Sequence, residues 1–210
     1  MTTDITVAVV AKECLPGRVK TRLTPALTPE GAARVAAASL ADTLATVRAL
    51  PAARRLLFFD GTVLPEGTEG FDVLHQTTGG LDERLGALFD AVDGPTLLVG
   101  MDTPQFSAAD VGPVFDDPSR DAWFGPAEDG GFWSLYLREP DGAHLRGVPM
   151  SQEDTGAIQF ARLTGAGLGV GTLGVLLDVD TVSDAERVAA LAPDSEFAEA
   201  LRTETVGSLR

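Results

Sequence analysis

The chain of 210 residues contains only two lysines, and both lie in one short segment. Lys12, Arg18, Lys20 and Arg22 share an 11-residue window, where even scattering of the 16 basic residues would place about one. The same window holds Pro16-Gly17. A loop with a glycine and several cations can wrap a polyphosphate, using backbone N–H groups and side-chain charge together. Lys12, Gly17, Arg18, Lys20 and Arg22 are therefore candidates for holding a nucleotide. A solvated basic patch is the plainer alternative. The spacing is neither that of a Walker A loop nor the G-x-G-x-x-G of dinucleotide-binding folds.

Carboxylates supply the complementary chemistry. Asp102, in Gly100-Met101-Asp102-Thr103-Pro104, stands at the end of the strand expected at 96–100 and is placed to hold Mg²⁺ (or Mn²⁺) against phosphate oxygens. An aspartate there also serves simply as a turn or cap residue. Asp178 and Asp180, separated by Val179, point to the same side of an extended chain and form a carboxylate pair that a divalent ion would stabilise. Alternatively, Asp180 or Ser183 caps the helix that follows. In residues 125–131, Glu128, Asp129 and Gly130 read either as a hairpin turn or as contacts to an acceptor. Thr78, Gly79 and Gly80 form a plain loop, or one in which missing side chains let a nucleobase approach the backbone.

Several chemistries are excluded. Cys14 is the only cysteine, so an intrachain disulfide and a cysteine zinc site are both ruled out, and a reducing cytoplasm fits. A thiol in a basic loop can have a lowered pKa, but a bystander role is expected for Cys14. His75 and His144 are isolated, and no G-x-S-x-G elbow occurs. A formal charge of −15 argues against nucleic acid as partner. No apolar run of about 20 residues and no leader-like N-terminus is present, so neither a membrane span nor a secretory signal is expected.

The elements that must position these residues alternate. Strands are expected at residues 5–10, 55–59, 71–74, 96–100, 122–124, 132–137 and 175–177. Helices are expected from the Thr28 cap to about Leu50, after Gly79-Gly80, after Ser107, across residues 154–163, and as two short acidic helices at the end. Leu81, Leu85, Leu88, Phe89 and Val92 recur at helical spacing. Trp133 and Tyr136 suit a core or the wall of an acceptor pocket. Strands alternating with helices imply one α/β domain over 1–210 with a mainly parallel sheet, whose ligands bind beyond the carboxyl ends of the strands.

Taken together, residues 12–23, Gly100 to Pro104, Gly125 to Gly131 and Asp178 to Thr181 resemble the AK-x-P-x-PG-x-VKTRL, G-x-D-x-P, GPAEDGG and DVDT motifs of a bacterial family of unknown function. Its members are classed provisionally as glycosyltransferases. The family is similar to MobA-like nucleotidyltransferases and to the 2-phospholactate guanylyltransferases of deazaflavin cofactor biosynthesis. The resemblance implies a Rossmann-like nucleotide-diphospho-sugar transferase (GT-A) fold, a nucleotide in the N-terminal half, and Mg²⁺ held by Asp102 with Asp178 and Asp180. Glu13-Cys14-Leu15 departs from the usual small residues, and Met150-Ser151 stands where an aromatic-Ser pair is common, which places Ser151 on the acceptor side.

The expected activity is nucleotidyl transfer from a nucleoside triphosphate, CTP or GTP first, to a small anionic acceptor. Lys20 and Asp102 are the expected catalytic residues. A triphosphate carries about four negative charges and gives a cationic loop more to hold than a diphosphate sugar does. Glycosyl transfer from a nucleotide sugar is the competing enzyme reading, and a non-catalytic nucleotide-binding protein is the third. Oligomer formation is left open.

Overall fold

The computed structural model describes residues 4–207. Strand β1 (Thr6–Lys12) lies in the interior of a seven-stranded sheet with β2 (Arg54–Asp60), β3 (Asp72–His75), β4 (Thr96–Gly100), β5 (Ala122–Pro126), β6 (Phe132–Leu137) and β7 (Val170–Thr172). The order is β3-β2-β1-β4-β6-β5-β7. Only β6 runs against the others, pairing antiparallel with both β4 and β5. The sheet is thus mainly parallel, as the alternation of strands and helices implies.

The β-branched run of β1 is buried on both faces because helices cover both. Val7, Val9 and Ala11 join one apolar layer with Leu40, Leu44 and Val47 of α1 (Pro29–Ala49) and Val111 and Val114 of α3 (Ala108–Asp116). Ala8 faces the other layer, with Leu85, Leu88 and Phe89 of α2 (Leu81–Asp90) and Leu163 of α4 (Thr155–Gly165). Burying each large aliphatic side chain contributes about 1.5–3 kcal/mol, so the two layers supply most of the cohesion.

Local signals set the helix starts. Thr28 Oγ1 accepts the Gly31 N–H at 3.0 Å with Pro29 in the first turn of α1. The Ser107 N–H is donated to Asp110 at 2.8 Å, the reciprocal half of a capping box. At α5 (Val182–Leu191) the cap is Thr181, paired with Asp184. Neither Asp180 nor Ser183 caps that helix.

A third apolar cluster lies to one side of the sheet. Leu23 and Leu27 of the basic segment meet Ala32 and Val35 of α1, Leu177 and Val179, Val188 of α5, and Phe197 and Leu201 of α6 (Glu196–Gly207). It fastens the N-terminal loop and the C-terminal aspartates to the same helices.

The strand expected at residues 175–177 is not one. The regular strand is β7, and beyond it Leu176 makes a single bridge to Ala127. The apolar residues here divide between destinations: Leu173 enters the first layer, Leu177 the third cluster, and Val175 is exposed. A continuous strand would have sent them to the two faces of one sheet.

Candidate active site

Parallel pairing brings the carboxyl ends of β1 and β4 side by side, with Val10 opposite Gly100. Lys12 ends β1, and Asp102 follows β4 by two residues. The antiparallel β6 begins at the same edge, so Phe132 and Trp133 close the far side. Residues 177–180 cross this edge in extended form. The Val179 N–H is donated to the Asp102 carbonyl at 2.9 Å, and Gln105 Nε2 to the Leu177 carbonyl at 2.8 Å. Leu177 and Val179 turn into the third cluster, so Asp178 and Asp180 turn outward together, as alternation requires.

The basic segment folds over these carboxylates. A 3-10 turn at Thr21–Leu23 is anchored by Leu23, which is fully buried. Lys20 stands before it in the left-handed region, with φ 46° and ψ 41°, a conformation uncommon for a residue with a side chain. Its side chain is only 7 % exposed, and Nζ lies 2.8 Å from Asp102 Oδ1 and 3.9 Å from Asp180 Oδ1. Arg22 donates to Asp180 Oδ2 from a mostly exposed position. Gly17 takes φ +71° with open space around its Cα; glycine is used there for the turn itself and not for a close approach.

Asp178 carries the strongest perturbation. Burial and the negative charges of Asp129, Asp102 and Asp180 push its carboxyl up from 3.8 to about 7, with Lys20 opposing. Its Oδ1 is buried and has no hydrogen-bond partner. Among the described residues no group of three or more His, Cys, Asp or Glu side chains stands in a metal-holding arrangement, and the Lys20 ammonium lies against Asp102 and Asp180. The donor set nevertheless fits a hard divalent cation: oxygen ligands only, a surplus of mutually repelling carboxylates, and one orphaned buried oxygen.

These groups line a cleft of about 970 Å³. Of the residues singled out in the sequence, Lys12, Lys20, Arg22, Asp102, Asp129, Ser151, Asp178 and Asp180 border it. Arg18 borders a smaller recess of about 190 Å³ formed with Lys12, Lys20, Arg22, Asp102 and Asp180. Gly17, Thr78, Gly79, Gly80, Glu128 and Gly130 are not among the lining residues. Glu128 instead pairs with Arg187 at 2.9 Å. Gly130, at φ +88°, packs so closely on residue 153 that a Cβ would meet the Glu153 carbonyl oxygen at 1.8 Å. The turn at 127–131 does join antiparallel strands as its composition suggests, and of its two carboxylates only Asp129 borders the cleft. Ser151 also adopts a positive φ, 59°.

Cys14, for which a bystander role is expected, packs against two of the apolar clusters. Burial, with the Asp102 charge adding to it, pushes its pKa up to about 11.

Sequence reasoning missed Arg84 and took Gln76 only as part of the loop 76–80; both line the cleft. Gln76 Nε2 is donated to the Ala11 and Phe58 carbonyls at 2.9 and 3.0 Å, and its Oε1 accepts from Arg84 at 2.7 Å. A signal for Arg84 was available: it falls three after Leu81 and four before Leu88, on the apolar stripe of α2, where a charge requires a reason.

The three-layer α/β architecture matches the fold of the nucleotide-diphospho-sugar transferases. The chain belongs to the bacterial family DUF2064, described as an uncharacterized protein conserved in bacteria, which matches residues 33–152. That span includes Gly100 to Pro104 and Gly125 to Gly131 and leaves out both the basic segment and Asp178 to Thr181. No curated protein matches. Among solved structures, the chain is similar to a protein of Desulfovibrio desulfuricans G20 assigned provisionally as a nucleotide-diphospho-sugar transferase. The two are 24% identical over 96% of this chain and 95% of that one, with a TM-score of 0.84. It is also similar to CMP:2-keto-3-deoxy-manno-octonic acid synthetase complexed with CTP (13% identity, 91% and 99% covered, TM-score 0.56). A manganese complex of Rv0371c from Mycobacterium tuberculosis H37Rv gives 23% identity, 90% and 98% covered, and a TM-score of 0.52. Each is a likeness of fold.

Proposed function

We propose that this chain is a divalent-metal-dependent nucleotidyltransferase. It would transfer a nucleoside monophosphate from a triphosphate to a small anionic acceptor and release pyrophosphate. The observation that carries this reading is the interleaving of Lys20 and Arg22 with Asp102 and Asp180 at the mouth of the cleft. Cations and carboxylates within one ion-pair distance suit a ligand that itself combines phosphate with a divalent ion. The CTP complex and the manganese complex among the fold relatives agree with both halves of that reading.

In this reading Lys20 and Arg22 hold the outer phosphates and Lys12, at the end of β1, the α-phosphate. Asp102, Asp178 and Asp180 would hold Mg²⁺ or Mn²⁺, which supplies neutralisation of the phosphate charge. Asp129 and Ser151 border the part of the cleft left for the acceptor. An acceptor oxygen attacks the α-phosphorus, the new P–O bond forms, and the bond to the bridging oxygen breaks with its electron pair leaving on pyrophosphate. An acceptor already anionic at that oxygen releases no proton, consistent with the absence of histidine from the cleft lining. Phe132, Trp133 and Leu98 supply apolar walls that limit water.

The TM-score of 0.84 to the protein assigned to the diphospho-sugar transferases favours a second reading, glycosyl transfer from a nucleotide sugar. Phosphorus NMR of reactions supplied with Mg²⁺ and CTP, GTP or nucleotide sugars separates the two. Nucleotidyl transfer yields pyrophosphate and a nucleotide-linked product. Release of a nucleoside diphosphate from sugar donors alone would overturn the proposal in favour of the second reading.

A further inference from the structure

We propose that Lys20 is an internal counter-ion that closes the carboxylate site to free divalent cations, so that the ligand admitted is the cation–polyphosphate complex. This rests on the nucleotidyltransferase reading of the site. Lys20 Nζ lies 2.8 Å from Asp102 and 3.9 Å from Asp180, and the side chain is 7 % exposed. Its backbone is held in the left-handed region just before the turn that Leu23 anchors in the third apolar cluster. The ammonium is therefore installed by the fold. Arg22 reinforces it on Asp180, but from a 73 % exposed side chain whose ion pair solvent screens.

The balance of charge then decides what can enter. Asp102, Asp178 and Asp180 face Lys20 and Arg22, three carboxylates against two cations, so the ion pairs offset most of the cluster's negative charge. A divalent cation arriving alone meets the Lys20 charge at the carboxylates it needs. A polyphosphate arriving alone meets carboxylates beside the cations it needs. A complex of the two lets both sets exchange partners at once: Lys20 passes from Asp102 to phosphate oxygen, and the freed carboxylates pass to the cation. Lys20 thus has opposite effects on the two components, weakening the metal alone and strengthening the metal with nucleotide.

Mn²⁺ binding followed by EPR tests this on the intact chain, without reference to turnover. Wild type, Lys20→Met and Lys20→Arg are titrated with Mn²⁺, in the absence and then the presence of CTP or GTP. Circular dichroism melts confirm that each is folded, and Lys20→Gln replaces Lys20→Met if the latter is not. Without nucleotide, Lys20→Met binds Mn²⁺ about tenfold more tightly than wild type, and Lys20→Arg remains weak. With nucleotide the order reverses. Equal or weaker Mn²⁺ binding by nucleotide-free Lys20→Met overturns the counter-ion role while leaving the nucleotidyltransferase reading intact. Absence of Mn²⁺ binding from every variant, with and without nucleotide, overturns both.

Discussion

Replacing Asp178 by asparagine removes one negative charge from a buried cluster while keeping the shape of the side chain. In wild type the folded carboxyl titrates near about 7 against an ordinary 3.8, because it is desolvated and faces Asp129, Asp102 and Asp180. Below about pH 4 the group is protonated in both folded and unfolded chains and imposes no penalty. Between about pH 4 and pH 7 the unfolded chain releases the proton and the folded chain keeps it. Wild-type stability therefore falls by about 1.4 kcal/mol per pH unit as pH rises through that window. Above it the penalty is constant. About three units of displacement set a ceiling of about 4 kcal/mol, and relaxation with water entry reduces the realised value to about 2–4 kcal/mol. Asp178→Asn should thus be more stable than wild type by that amount at about pH 8, with the gap closing towards pH 4. Urea unfolding at several pH values, in excess chelator so that no cation neutralises the cluster, measures it directly. A gap that stays the same from pH 4 to pH 8, or a variant less stable than wild type at pH 8, would refute the electrostatic reasoning. In the presence of metal the same variant should lose activity, because the destabilising carboxylate is the one the proposed chemistry needs.

Lys20→Ala or Arg22→Ala should weaken triphosphate binding by about 1.5–3 kcal/mol and monophosphate binding far less, measured by calorimetry with Glu66→Ala as control; equal losses would mean that the residues only shape the loop. Gly130→Ala should cost about 2 kcal/mol or more, because the backbone is at φ +88° and the new Cβ would meet the Glu153 carbonyl; an unchanged melting temperature would contradict that packing. Arg84→Leu leaves Gln76 Oε1 without its donor and should cost about 1–3 kcal/mol by denaturant unfolding, whereas a stabilised variant would mean that the guanidinium is the greater burden in that apolar stripe.

Much of the frame was legible because short-range rules govern it. The β-branched run of β1 and the Thr28 and Ser107 caps each depend on residues a few positions apart. The shared orientation of Asp178 and Asp180 followed from alternation alone, since Leu177 and Val179 needed the opposite side. What stayed hidden depends on distant partners. The ion pair of Lys20 with Asp102 joins residues from different sheet connections, and nothing local to either marks it. Gln76 looked like a loop residue, yet its amide joins the carbonyls of two strand ends. The misplaced last strand has the same origin: apolar character in residues 173–177 was evident, but the division of those residues among separate clusters is a tertiary fact. Within the GPAEDGG turn, the pattern could not say that Glu128 pairs with Arg187 while Asp129 borders the cleft.

The third apolar cluster has a consequence for the order in which the molecule comes into being. Leu23 and Leu27 leave the ribosome long before the side chains that hold them, Val179, Val188, Phe197 and Leu201. The nascent chain can pair β1, β2 and β4 long before those residues emerge, while its basic loop still lacks both its apolar anchor and one pair of its carboxylates. Synthesis of α6 and completion of the third cluster therefore coincide. A product that terminates before α6 would lack Phe197 and Leu201, and Leu23 and Leu27 would be held by fewer apolar partners.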